Sequence, residues 1–125
     1  MLYLLRHMKK HNLETGKRGE DIAKKYLQDK DYAIIEQNYR TKYSEIDLIC
    51  RKNNELVFVE VRTKTNERFG SPEETINKDK INRLIRAANA YAARKLWQGP
   101  YRIDVVCIVL NSDKTLKRIT QYSIS

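Results

Sequence analysis

A chain of 125 residues has room for one domain with a real core, and no internal shift in composition divides it. Its formal net charge of +9 points to a polyanionic partner, nucleic acid first, with a membrane surface or mere solubility as the bland alternatives. No apolar run approaches the ~18 residues a membrane-spanning helix needs, and the N-terminal order of apolar before basic residues is wrong for a signal peptide.

Residues 1–13, MLYLLRHMKKHNL, read as a flexible extension ahead of a single domain over 14–125, with Met8 as an alternative start. His7 and His11 have no nearby Cys or acidic partner and read as solvated. Residues 15–29 predict a helix with Ile22, Ala23, Tyr26 and Leu27 on one apolar face and Glu20–Lys24 as a favourable i, i+4 pair. Glu20 lies in the first turn, where a carboxylate is welcome on dipole grounds alone. Residues 32–41 predict the first strand, ending in Tyr39 and Arg40, an aromatic–basic pair suited to a nucleic-acid backbone or to a strand end reaching into water.

The richest stretch is EIDLICRKNNELVFVEVR, residues 45–62, which predicts a β-hairpin turning at Asn53-Asn54. With Lys52 facing Glu55, the pairs run back through Cys50–Val57 and Leu48–Val59 to Asp47–Glu60, Ile46–Val61 and Glu45–Arg62. Asp47 then faces Glu60 with Cβ atoms roughly 4.5–5.5 Å apart. Two like charges so placed need something positive between them. A magnesium- or manganese-like cation would serve, and so would a solvated face tied to Arg62 and nearby lysines. The same face carries Ile49, Leu56 and Phe58, so it is buried over at least half its length.

Beyond the hairpin, TNERFGS predicts a loop, PEET a short helical turn, and residues 78–96 a helix with Ile81, Leu84, Ile85, Ala88, Tyr91 and Ala92 as its stripe. Asn77 would cap it. Lys78 and Lys80 in its first turn oppose the macrodipole, which suggests use on a phosphate or at the cation site, though Asp79 softens the inference. Arg83, Arg86, Arg94 and Lys95 add a basic surface. Trp97-Gln98-Gly99-Pro100 predicts a glycine-capped stop, and residues 101–110 a strand buried on both faces, with Asp104 as a structural acid partnered by Arg102, a backbone turn or the first helix. A last, patchy strand reads as an edge. Cys50 and Cys107 read as small buried hydrophobes in a reducing cytoplasm. The order α-β-β-β-α-β-β predicts an α/β domain with a mixed central sheet flanked by helices.

An aspartate, a hairpin and then E-x-K on the second arm is the motif of the PD-(D/E)xK nuclease superfamily, and this chain resembles it through Asp47 and Glu60. It more closely resembles the YraN-like family of bacterial proteins, relatives of the archaeal Holliday-junction resolvases, through Gly16 to Glu20, Asn38 to Arg40, Ser44 to Ile49, Val57 to Lys64, Lys80 to Tyr91 and Arg102 to Val106. The resemblance implies a restriction-endonuclease-like fold and a metal-dependent endonuclease acting on DNA rather than RNA, with branched or structured DNA as substrate and no membrane partner. It implies that Asp47, Glu60 and the Val61 carbonyl hold Mg²⁺ or Mn²⁺ and that Glu20 assists; on charge and position, Arg40, Lys64, Lys78, Lys80 and Arg83 are the residues expected to meet the nucleic acid. Resolvase relatives act as dimers, so a homodimer is expected. The motif lysine is Arg62 here, and an arginine does not accept a proton. Lys64 or Lys80 is the substitute. A non-catalytic nucleic-acid-binding module on the same scaffold is therefore the alternative, and a basic assembly factor is a third.

Overall fold

The computed structural model describes residues 2–124, and of residues 7–11 the backbone only, so the expectation for His7 and His11 lies outside the described side chains. The chain runs through helix α1 (Leu2–Asp29), strands β1 (Ala33–Arg40), β2 (Glu45–Lys52) and β3 (Glu55–Lys64), a 3₁₀ turn (Glu73–Thr75), helix α2 (Lys78–Arg94), and strands β4 (Tyr101–Leu110) and β5 (Leu116–Ser123). The five strands lie in the order β1-β2-β3-β4-β5. Only β3 and β4 are parallel, because only they are joined by a helix; the other neighbours are antiparallel. The result is an α/β domain with a mixed sheet and one helix on each face.

The two faces are built from alternate residues of the same strands. Leu48, Cys50, Val57, Val59, Val106, Ile108 and Leu110 pack under α1 with Ala23 and Leu27. Ile49, Leu56, Phe58 and Ile103 pack under α2 with Leu84, Ala87, Ala88 and Tyr91. Strand β4 is buried from Ile103 to Leu110, as expected of a strand with a neighbour on each side and a helix over each face. Cys50 and Cys107 are buried free thiols, and burial pushes them up to about 12 and about 11, which keeps both inert. Among the described residues no helix is long and apolar enough to cross a membrane.

Three boundaries depart from the sequence expectation. Helix α1 starts at Leu2 instead of residue 15, since nothing from Leu2 to Thr15 breaks a helix, although the side chains of residues 2–6 stay exposed. Helix α2 ends at Arg94, and the left-handed residue that closes it is Leu96 (φ 55°), not Gly99. Trp97 N–H returns to the Ala92 carbonyl at 2.9 Å, the long bond of a Schellman ending. The third concerns the hairpin. Its register holds from Lys52–Glu55 to Leu48–Val59 and stops there, so the expected pairs Asp47–Glu60, Ile46–Val61 and Glu45–Arg62 are absent from the ladder. Ile46 joins the α2 core beside Ile49 instead of alternating with it, which shows that β2 rotates about Asp47 as it leaves β3.

Asp104, the expected structural acid, is 2% exposed and accepts from Arg102 Nε (3.1 Å), Gln121 Nε2 (2.8 Å) and Ser123 Oγ (2.6 Å). Arg102 also donates to Tyr32 Oη at 2.9 Å and to Glu55. This network ties β3, β4 and β5 together at the end of the sheet remote from the hairpin's open mouth.

Helix α1 meets β3 at Gly19, where a Cβ would lie 1.9 Å from Thr63 Oγ1. Gly16, one turn earlier, has nothing within 4 Å of the same position. Gly19→Ala is expected to lever α1 off the sheet and cost about 1–3 kcal/mol, while Gly16→Ala gains about 0.5–1 kcal/mol. Urea unfolding midpoints of the two variants distinguish them, and equal midpoints would contradict the contact.

Candidate functional site

Where β2 and β3 part, the side chain of Asp47 fills the gap that the ladder leaves. Its Oδ2 accepts the Val61 N–H at 2.8 Å, so a carboxyl oxygen stands in for the strand carbonyl that would have paired there. The carboxyl also shares a hydrogen bond with Glu60. Thus the two acids meet, as the sequence predicts, but through a side chain replacing a backbone partner.

Glu60 is 4% exposed and lies among cations. Lys80 Nζ is 3.2 Å from its Oε2 and Arg62 Nη2 is 3.4 Å from the same oxygen. Lys80 reaches it from the first turn of α2, where Asn77 Oδ1 caps the Lys80 N–H at 2.8 Å. The lysine that opposes the macrodipole is thus turned inwards onto an acid, with Ser44 Oγ 3.3 Å away as a second partner. Among the described residues Arg62 Nε is buried without an acceptor. Two cations face Glu60, and among the described residues none is paired with Asp47. Burial first, then the hydrogen bond and charge of Glu60, push its carboxyl up to about 8; the charge of Glu20 adds to the rise and the Val61 N–H opposes it. At neutral pH Asp47 therefore keeps its proton and donates it to Glu60.

A cleft of about 350 Å³ opens beside Asp47, and Glu60 and Lys80 lie behind it without lining it. Asp47, Val61 and Arg62 form its floor, Glu20, Gly16 and Thr15 of α1 one wall, and Thr63 and Lys64 its outer rim. It lies at the carboxyl end of β3 beside the start of α2, the end of a parallel unit where loops leave room for a ligand. Glu20, Asp47, Glu60, Val61, Arg62, Lys64 and Lys80 are thus brought together. Val61, expected to offer its carbonyl, is tied in by its N–H. Arg40 is not part of the cluster: it projects from edge strand β1 and pairs with Glu45 at 3.3 Å. Lys78 and Arg83 stand exposed on α2.

The donor set suits a hard divalent cation only in part. Asp47 and Glu60 supply close, mutually repelling oxygen donors, the chemistry such an ion compensates. Among the described residues, however, no three His, Cys, Asp or Glu side chains converge closely enough to hold a metal. Sequence reasoning missed Gly19, whose absent side chain brings Glu20 to the cleft, and Ser44, the second partner of Lys80. The Gly16-x-x-Gly19 spacing just before Glu20 was the only signal for the former.

A family model described as Uncharacterised protein family UPF0102 matches residues 19–108, a span that holds Glu20, Asp47, Glu60, Arg62 and Lys80. The chain is 40% identical over 109 residues to a UPF0102 protein of Clostridium beijerinckii, covering 86% of this chain and 89% of the relative. It is 43% identical over 105 residues to one of Syntrophomonas wolfei, covering 83% and 91%. A third, from Caldanaerobacter subterraneus, is 41% identical over 115 residues, covering 90% and 94%. The YraN-like resemblance holds at the level of the family: this chain is a member of the uncharacterised protein family UPF0102.

Proposed function

We propose that the chain is a metal-dependent endonuclease that hydrolyses phosphodiester bonds in DNA, branched or structured DNA included, on a restriction-endonuclease-like fold in the cytoplasm. What supports this above all is the Asp47–Glu60 pair, two carboxyls in hydrogen-bond contact of which Asp47 lines an open cleft, on a chain of net charge +9. Asp47 and Glu60 would hold Mg²⁺ or Mn²⁺, with the Val61 carbonyl and Glu20 completing the shell directly or through water. Such an ion, when bound, activates water and stabilises charge on the phosphate.

The chain's own residues do the rest. Lys80 and Arg62 fix the Glu60 carboxylate, and Lys64 on the rim attracts the phosphate. Arg62 neutralises phosphate charge but stays protonated. Lys80, one hydrogen bond from Glu60, takes the place the motif gives to a lysine two residues after its glutamate. Arg62 at that position is also what favours the second function, a binding module without cleavage.

Cleavage of plasmid and four-way-junction DNA with Mn²⁺ tests the site. Asp47→Ala and Glu60→Ala are expected to lose about a hundredfold or more, and activity surviving both would discard it. Binding without cleavage in the wild type selects the module. Either function predicts that affinity falls with salt, and that Lys64→Ala or Arg83→Ala lowers the log–log slope by about 1; a salt-independent affinity would rule out both.

The raised Asp47 carboxyl gives a pH signature. The folded chain holds a proton that the unfolded chain releases, so stability declines as pH rises from the ordinary aspartate range towards about 8. Asp47→Asn removes that decline and should stabilise the metal-free protein at pH 9 by on the order of 2 kcal/mol, since each pKa unit is about 1.4 kcal/mol before solvent screening. Mn²⁺ must displace the same proton, so its apparent affinity should climb up to about tenfold per pH unit below about 8 and level off above. Urea titrations and isothermal calorimetry at several pH values read both effects, and pH-independent curves would refute the protonated pair.

A further inference from the structure

We infer that Phe69 is a stacking platform for an unpaired DNA base, so that a single-stranded segment of the substrate lies beside the Asp47–Glu60 cleft. The second clause rests on the proposed function; the platform itself does not. Phe69 is 88% exposed, the most exposed large apolar side chain among the described residues. A single exposed apolar residue is ordinary. What sets this one apart is how it is held and what lies next to it.

The loop carrying Phe69, between β3 and the 3₁₀ turn, is pinned from both sides by one arginine. Arg118 of β5 binds Glu67 (3.1 and 3.3 Å) before Phe69 and Glu73 (2.7 and 3.1 Å) after it. Thr120 Oγ1 adds a 2.7 Å bond to Glu73. Inside the loop, Gly70 N–H bonds the Glu67 carbonyl at 3.2 Å and Arg68 N–H bonds Asn66 Oδ1 at 3.0 Å. Gly70 takes φ 111°, a conformation side-chain-bearing residues rarely adopt, and so turns the chain directly after Phe69. The loop is therefore built to keep an aromatic ring in water, against the tendency of that ring to fold in.

Phe69 walls a groove of about 300 Å³ together with Asn66, Lys64, Thr63, Thr15 and Asn12. The last four also line the cleft over Asp47, so groove and cleft are continuous. Arg118 offsets part of the charge of Glu67 and Glu73, the Glu74 carboxylate lies beside Gly70, and Lys64 is the cation that lines the groove with Phe69. An exposed ring beside a lysine that lines the same groove fits a nucleotide: the ring takes the apolar base face and Lys64 takes the phosphate. Such stacking is tolerant of base identity. In duplex DNA each base face is already covered by its neighbours, so the platform favours unpaired bases.

The test measures binding by the full-length protein in EDTA, where no cation supports cleavage. The probes are a fluorescent single strand of about twelve nucleotides of dT and a duplex of the same length. Phe69→Ala is expected to weaken single-strand binding about tenfold and leave duplex binding unchanged. Phe69→Trp should retain single-strand affinity and Phe69→Leu should lose it as alanine does. Equal single-strand affinity for wild type and Phe69→Ala, full affinity in Phe69→Leu, or the same loss on duplex would each overturn the platform. Failure of cleavage with a positive result at Phe69 therefore counts against the nuclease and not against the platform.

Discussion

The structure around the cleft depends on one substitution of partners: a carboxyl oxygen of Asp47 occupies the place of a strand carbonyl opposite the Val61 N–H. An unpaired backbone N–H buried at the mouth of a sheet would cost about 1–3 kcal/mol, so the strands can part there only if something replaces the lost bond. Asp47 does so, and its carboxyl also meets Glu60. A pair of carboxylates in that position cannot both ionise cheaply. Lys80 and Arg62 stabilise the charge on Glu60, and a retained proton removes the charge on Asp47. Local strand geometry, proton and cation demand are thus one problem with one arrangement as its solution.

The remaining elements bring groups to that arrangement. Gly19 lets α1 approach Thr63 closely enough for Glu20 to bear on Asp47, and the Asn77 cap starts α2 where Lys80 reaches Glu60. The parallel pairing of β3 with β4, which the intervening helix requires, frees the carboxyl end of β3 from a tight turn and leaves the space that becomes the cleft. At the other end of the sheet the Arg102–Asp104 network satisfies a buried acid completely. That contrast separates a fully partnered carboxylate from one whose carboxyl is pushed up by its neighbours.

Much of this was legible in the sequence where period and turn chemistry act locally. Asn53, with φ 55°, set the hairpin register through Leu48–Val59, and the unbroken apolar run at 103–110 marked the central strand. The rotation at Asp47 was not legible, because alternation predicts that a ladder continues and gives no sign that a side chain will replace a carbonyl. Lys80 was noticed as an electrostatic misfit, yet its inward direction depends on where α2 lies over the sheet. Leu96 closing α2 in a left-handed conformation ran against propensity, which favours Gly99. The rotation at Asp47 and the direction of Lys80 are tertiary effects that override a local rule, whereas Leu96 closes its helix through local hydrogen bonds.

The bond between Asp47 and Val61 also turns one main-chain group into a reporter. Because its acceptor is titratable, the Val61 amide resonance shifts as that carboxyl gains or loses a proton, whereas neighbouring β3 amides paired to carbonyls have no such dependence. Occupancy and ionisation of the cleft can therefore be followed at a single nitrogen by NMR of ¹⁵N-enriched protein, without a chromophore or a substrate.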